Sequence, residues 1–390
     1  MGRHAAYSNA SARWLPWLVA LSVFVVVALV LVLVPGRGPE PQPAVSSSTA
    51  PVTTESSRRQ PPTTTAPTTP TPAPPPTPAA EPTVTLAFAG DVHFTGRTRS
   101  LLDDPGTAFG PIAQTLAAAD LAMVNLESAI TERGREEPKQ FHFRAPPVAL
   151  DALTAAGIDV AALANNHAVD YGPVGLEDTL AAARSGRLPV VGVGPDAAAA
   201  YAPYRTSVRG VSLAFFGVSQ VPDRTYNAWT ATDGSPGIAS TADQQRLIDG
   251  VRAASEAGDV TVVYVHWGIE GDACPTEDMS DLARALADAG ADIVVGTHAH
   301  LLLGAGWLGA GPAYVAYGLG NFLWWRSQAF SDDTGVLTLT VQGGGVVAAE
   351  FTPALIDEDG RPQPSTGPSV ADLVSAFGAL RDCTTLRRAR

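Results

Sequence analysis

Five of the chain's seven histidines fall at or just beyond apolar, β-rich runs. The same places hold oxygen ligands: Asp91 with His93 in "GDVH", Glu127 in "NLE", Asn166 with His167 in "ANNH", His266 in "HWG", and His298 with His300 in "GTHAH". Carboxylate, amide oxygen and imidazole without thiolate suit a borderline or harder divalent ion such as Zn²⁺, Mn²⁺ or Fe²⁺. The donors suffice for two ions sharing a carboxylate, and a pair about 3.5–4 Å apart activates water and stabilises the oxygens of a tetrahedral transition state. Singly, each histidine has another reading, a hydrogen-bonded structural residue. The i, i+2 pairs Asp91/His93 and His298/His300 say more, because a strand that continues through them directs both members to one side.

Strands must carry these residues to a common edge, and the order of elements predicts that they do. "TVTLAFAGD" and "LAMVNLE" read as strands ending in carboxylates, with helical spacing in "PIAQTLAAAD" between them. "PPVALDALTAAG" reads as a helix, "IDVAALANNH" as a strand, and "PVGLEDTLAAARSG" as a helix closed by Gly186. A hairpin around Arg209-Gly210 interrupts the rhythm. Alternation then returns through "ADQQRLIDGVRAASEAG", "DVTVVYVHWG", "MSDLARALADAG" and "ADIVVGTHAH" before further strands near the C-terminus. Alternating strands and helices imply an α/β domain with a largely parallel core, here a mixed two-sheet sandwich flanked by helices. Ligands in such folds collect beyond the carboxyl ends of parallel strands, where the candidate residues stand.

The N-terminal part has a different character. Trp14 to Val34 carries no charge over a length that spans a bilayer as a helix. With Arg3 and Arg13 before it, the run is expected to be a transmembrane anchor that leaves residues 1–13 cytoplasmic and exports the rest; a cleaved signal peptide is the alternative. Residues 35–83, rich in Pro and Thr, are expected to be a disordered linker with polyproline II character. The domain is expected over 84–355, followed by a tail over 356–390. A formal net charge of −13 speaks against nucleic-acid binding. The two cysteines, Cys274 and Cys383, predict one disulfide in an exported domain, the alternative being two buried thiols.

The stretches "FAGDVHFTGR", "VNLESAIT", "ANNHAVDYG", "VHWGIE", "GADIVVGTHAH" and "YGLGNFLW" stand in the order and context of the CapA family. The chain resembles that family, the capsule or poly-γ-glutamate synthesis proteins, which in turn resemble metallophosphoesterases. The resemblance implies one metal among Asp91, His93, Glu127 and His300, with Glu127 bridging to a second held by Asn166, His266 and His298. It makes His167 the acid that protonates a leaving group and Asp170 the group that orients it, or else a turn residue. Glu127 stands where phosphoesterases carry aspartate, and Thr297 and Ala299 depart from the usual G-H-x-P-H form.

The implied function is hydrolysis or transfer at an amide or phosphate ester, with an anionic polymer or small molecule as substrate and membrane synthase subunits as possible partners. The competing readings are a non-catalytic scaffold that binds polymer or synthase, and a general exported phosphoesterase. Asn321 in "YGLGNF" is expected at the pocket rim, or in a tight turn. Arg97, Arg99, Lys139 and Arg144 are candidates for holding carboxylates or phosphates, or else solvated charges. Trp324 and Trp325 line a groove or cap a core.

Overall fold

The computed structural model describes residues 81–327 and 331–389. The apolar run Trp14–Val34 and nearly all of the Pro/Thr-rich segment lie outside the described residues. Among the described ones no helix is long and apolar enough to cross a membrane.

One sheet is built from β1 (Thr83–Val92), β2 (Leu121–Leu126), β3 (Val160–Ala162) and β4 (Val190–Val191), all parallel neighbours. The other is centred on β5 (Tyr204–Val208), β6 (Val211–Ser219), β7 (Val260–Trp267) and β8 (Ile293–His298), of which β6, β7 and β8 run parallel. Strands β9 (Ala305–Leu308) and β10 (Tyr314–Ala316) extend the second sheet. Chain order then returns to the first sheet: on the edge of β1 away from β2, β11 (Asn321–Leu323) lies parallel to its end and β12 (Asp333–Gln342) antiparallel to its start, with β13 (Gly345–Ile356) antiparallel beyond β12.

The strands read as near-continuous apolar runs because they are buried on both faces. In β7 all eight residues are buried. Val260, Val262 and Tyr264 face the layer between the sheets, where they meet Leu86, Phe88 and Leu339. Val263, Val265 and Trp267 face the other way, onto α3 (Gln244–Glu256) and α4 (Glu277–Asp288) through Leu247, Val251, Leu282 and Leu286. The first sheet is covered in the same manner by α1 (Val148–Ala155) and α2 (Gly172–Arg184), through Leu150, Leu153 and Leu176. The result is helices, sheet, sheet, helices, the mixed α/β sandwich expected from the alternation. Between the sheets Tyr264 donates its hydroxyl to the Ala89 carbonyl at 2.5 Å, a polar fastening inside an apolar layer.

The hairpin forms between β5 and β6, with Arg209 at φ 50° and Gly210 at φ 83°. Two consecutive left-handed residues make the turn whose twist matches the flanking strands. The segment set apart in sequence as a tail is woven into both sheets: β14 (Pro362–Pro364) pairs with β13, and β15 (Leu386–Arg387) pairs with β9. Its boundary was illegible because two- and three-residue strands leave no periodic pattern. Between them α5 (Ser369–Ala379) buries only Phe377, stacked on Phe351 with ring centroids 3.9 Å apart. A Cys274–Cys383 disulfide then fastens the segment.

Candidate metal centre

The carboxyl ends of β1, β2 and β3 in one sheet and of β7 and β8 in the other meet at one edge of the sandwich. Strand β1 reaches it through an irregularity in its pairing with β2 between Phe88 and Asp91. Gly90 lets that happen: a Cβ there would stand 2.0 Å from the Gly320 carbonyl oxygen, which accepts the Asp91 N–H at 2.9 Å. Asp91 is wholly buried, and so are His93 and Glu127.

Strand β8 stops at His298 rather than running on to His300. Both histidines have positive φ, 88° and 58°, so the pair is not aligned by strand periodicity as the i, i+2 spacing predicts. A left-handed turn brings both imidazoles inward instead, at a conformational cost that non-glycine residues carry mostly at functional sites. The bend lets the His298 N–H donate to Asp91 Oδ2 at 3.2 Å, while His300 Nδ1 lies 3.3 Å from the same oxygen.

Glu127 stands at the middle of the cluster. Its Oε2 lies 2.9 Å from His93 Nε2, and its Oε1 lies 3.3 Å from His266 Nε2. His266 Nε2 also lies 2.8 Å from Asn166 Oδ1. Ligand atoms of Glu127, His298 and His300 fall within 4.8 Å of one another. All seven sequence-derived metal candidates thus converge, with Glu127 presenting one oxygen to each group of imidazoles. The donor set fits divalent cations: two carboxylates, an amide oxygen and four imidazoles are buried together. Nδ1 of His298 has no hydrogen-bond partner among the described residues, an expensive arrangement unless a ligand occupies the space it faces.

Electrostatics favour the ligand forms of Glu127 and His298. Burial pushes Glu127 upward, but the imidazoles of His266 and His93 outweigh it and hold the carboxyl well below the usual range, so it is ionised. Burial, reinforced by His266 and His300, holds His298 well below the ordinary imidazole value and leaves it neutral. At His300 burial lowers the value, yet the hydrogen bond to Asp91 and the charges of Glu127 and Asp91 carry it upward.

Beside the cluster His167 Nδ1 donates to Asp170 Oδ2 at 2.6 Å, and its Nε2 faces Glu127 Oε1 at 3.8 Å. Asp170 Oδ2 also accepts the Phe143 N–H at 2.6 Å, which fixes the carboxylate and through it the imidazole tautomer. Burial lowers the His167 pKa against the pull of Asp170. Lys139 completes the arrangement: its ammonium lies 2.8 Å from Asp170 Oδ1 and donates to the Asn166 carbonyl at 2.5 Å. The strand-end cluster and the His167–Asp170 pair are therefore tied through one side chain. The Phe143 ring packs on both His93 and His167, with centroids at 4.3 and 4.2 Å, and Trp324 packs on His93 and His300 at 4.8 and 4.6 Å.

Three residues expected to bind substrate lie elsewhere. Arg97 spends its guanidinium on backbone carbonyls of Trp324, Arg326, Asp357 and Glu358, so it braces the chain and leaves little for a ligand. Arg144 stacks over Tyr171 at 4.5 Å and lines a cavity of about 320 Å³ with Arg99 and His142. Asn321 is not at the rim but wholly buried beside Asp91 in the β1–β11 register, donating its amide to the Ser331 carbonyl at 3.1 Å.

Sequence reasoning overlooked Asn125, Asn165 and Thr297. Asn125 donates to Asp91 Oδ1 at 2.7 Å, Asn165 donates to Asn125 Oδ1 at 3.0 Å, and Thr297 Oγ1 lies 3.1 Å from His266 Nδ1. Such partners orient ligands. Their signal was present in "VNLE", "ANNH" and "GTHAH", where each lies one or two positions before a ligand.

Two carboxylates and four imidazoles gathered at the strand ends of an α/β sandwich form a candidate site for divalent ions. Residues 85–324 match the family described as bacterial capsule synthesis protein PGA_cap, and the chain belongs to that family. It is 28% identical to the PGA biosynthesis protein CapA of Bacillus subtilis (strain 168), over 72% of this chain and 73% of that one. It is 29% identical to the capsule biosynthesis protein CapA of Bacillus anthracis, over 73% and 70%. A probable polyglutamine synthesis accessory protein of Mycobacterium tuberculosis is 35% identical over 47% of this chain and 50% of its own. Among solved structures, a hypothetical protein from Thermus thermophilus aligns with a TM-score of 0.44 at 20% identity, over 69% of this chain and 98% of that one. A phosphatase from Mycoplasma pneumoniae aligns with a TM-score of 0.43 at 12% identity, over 70% and 94%.

Proposed function

We propose that the chain is an exported, membrane-anchored protein of capsule or poly-γ-glutamate-type polymer synthesis or export. Its domain acts as a metal-dependent hydrolase or transferase at an amide or phosphate ester. The observation that carries this reading is Glu127, with one oxygen 2.9 Å from His93, the other 3.3 Å from His266, and His167 Nε2 at 3.8 Å. The polymer assignment draws on what the Bacillus relatives are named for. The Cys274–Cys383 bridge supports an oxidising, extracytoplasmic location.

Divalent cations bound in this site would supply Lewis-acid stabilisation of a substrate oxygen and a lowered pKa for water. The protein's part is to hold the donors rigid, exclude bulk water and move a proton. Asp170 keeps Nδ1–H of His167 turned away from the cleft, so Nε2 is the atom that exchanges a proton with the reacting group. Phe143 and Trp324 wall the cluster with apolar surface. The substrates that fit are anionic, since cations in the site favour oxyanions; synthase subunits in the same membrane are the natural partners.

The test begins with elemental analysis of the full-length chain beside His266→Ala and His298→Ala. About two divalent ions per chain, reduced in both variants, supports the reading. His167→Gln should then keep its metal and fold while losing turnover or polymer. No metal after reconstitution with Zn²⁺ or Mn²⁺ sinks the catalytic proposal, and unchanged polymer output in His167→Gln points to a binding scaffold.

A further inference from the structure

Many arginines in this acidic chain are neutralised where they stand. Arg133 pairs with Asp178, Arg187 with Asp151, Arg205 with Asp259 and Arg224 with Glu137. Arg326 is among those that are not, and its setting is aromatic. It is exposed and has no ion pair among the described residues; its guanidinium lies over two aromatic rings, Trp325 at 4.9 Å and Phe141 at 5.6 Å. A guanidinium stacked on ring faces keeps its edge N–H groups turned outward in a fixed fork, the arrangement that matches a carboxylate or phosphate bidentately.

The platform is connected to the metal centre by ring contacts. Trp325 packs on Phe143 with centroids 5.2 Å apart, and Phe143 packs on His93 and His167. The backbone beneath it is held rather than free. Arg97 donates to the carbonyls of Trp324 at 3.0 Å and Arg326 at 3.2 Å, and its own N–H donates to the Trp325 carbonyl at 3.2 Å. Phe141, 37% exposed, is one of the few large apolar side chains left in solvent, and its ring is half of the platform. Stacking on Trp325 and Phe141 offsets some of the entropy lost when a flexible arginine is ordered, so the guanidinium is preorganised for an incoming anion.

We infer that Arg326, stacked on Trp325 and Phe141, is the specificity-determining residue that binds an oxyanion of the substrate one step outside the metal centre. The favoured occupant is a carboxylate of a repeating anionic chain: the metal site engages one unit while Arg326 holds the charge of a neighbour. This deepens the proposed function and rests on it for the identity of the substrate, though not for the existence of the anion site.

The experiment is calorimetric binding to the full-length chain, so no turnover is needed. The probes are a γ-linked glutamate pentamer, its α-carboxamide counterpart without charge, and phenyl phosphate. Arg326→Gln should weaken the charged pentamer roughly 10–100-fold, the loss of a charge-assisted bidentate contact, and leave the carboxamide unaffected. Arg326→Lys should fall between, because a point charge replaces a fork. Arg326-dependent binding of phenyl phosphate but not of the pentamer retains the oxyanion site and reassigns its source to a phosphate ester. Binding of both anions within twofold of wild type in Arg326→Gln, or no binding of either by wild type, overturns the inference. Failure of the catalytic reading would look different: Arg326-dependent binding would persist with no bond cleaved by the metal-loaded chain.

Discussion

Replacing Cys274 and Cys383 together by serine tests how the C-terminal segment is held. The bridge joins residues 109 apart in sequence, with Cα atoms 5.8 Å apart. In the chain-entropy description a loop of that length restricts the unfolded ensemble by about 5 kcal/mol. Unfolding a domain of about 300 residues carries an entropy of roughly 0.6 kcal/mol/K, so the expected fall in Tm is about 8 °C. The segment's other fastenings are short: β14 pairs with the end of β13, β15 pairs two residues with β9, Arg381 donates to the Ala305 carbonyl, and α5 buries Phe377 alone. The loss should therefore appear first as C-terminal opening, with faster amide exchange in α5 and proteolysis near Leu380. Scanning calorimetry of wild type and double variant, each with and without reductant, measures the effect. Reductant should lower wild type to the variant's Tm and leave the variant unchanged. A double variant within about 1 °C of wild type, or two titratable thiols in the denatured, unreduced protein, would refute the reasoning.

Four further outcomes are expected. Tyr264→Phe strips the donor from the buried Ala89 carbonyl and should cost about 1–3 kcal/mol in denaturant unfolding, with metal content preserved. Phe377→Ala empties the stack on Phe351 and should release α5 to protease while leaving the metal centre loaded. Asp178→Asn should reveal a pH dependence. The hydrogen bond from Arg133 lowers the folded pKa of Asp178, so its stabilisation is complete above the unfolded value of about 3.9 and disappears as pH falls through the folded one. Wild type and variant should accordingly differ in Tm near neutrality and converge in acid. Lys139→Met should weaken the seating of both Asp170 and the Asn166 backbone, lowering metal affinity and proton-transfer competence together, with Lys139→Arg restoring part of each.

Residue types and local order were enough to pick out the side chains that the fold gathers into one buried cluster. The seven ligand candidates sit where β-rich runs end, and a strand that ends on Asp91 or His266 announces itself by its own composition. The alternation of strands and helices likewise specified the layered sandwich, because periodicity and turn residues are local properties. The even pair of cysteines specified their bridge once export was assumed.

What the sequence could not supply depends on contacts between distant residues. His298 and His300 share the site through left-handed backbone rather than strand period, a choice made by Asp91 accepting the His298 N–H more than two hundred residues away in the chain. Arg97 reads as a binding residue until the fold brings the carbonyls of Trp324, Arg326, Asp357 and Glu358 around it. Lys139 and Arg326 carry the same charge, yet packing half-buries one as a clamp on Asp170 and leaves the other stacked on aromatic rings in solvent. The sequence by itself therefore determined which chemistry is available and on which strand ends it lies. Only the tertiary structure decided which charges are used up internally and which remain for a ligand, because hydrogen-bond partners and burial are set by chain segments that no local window contains.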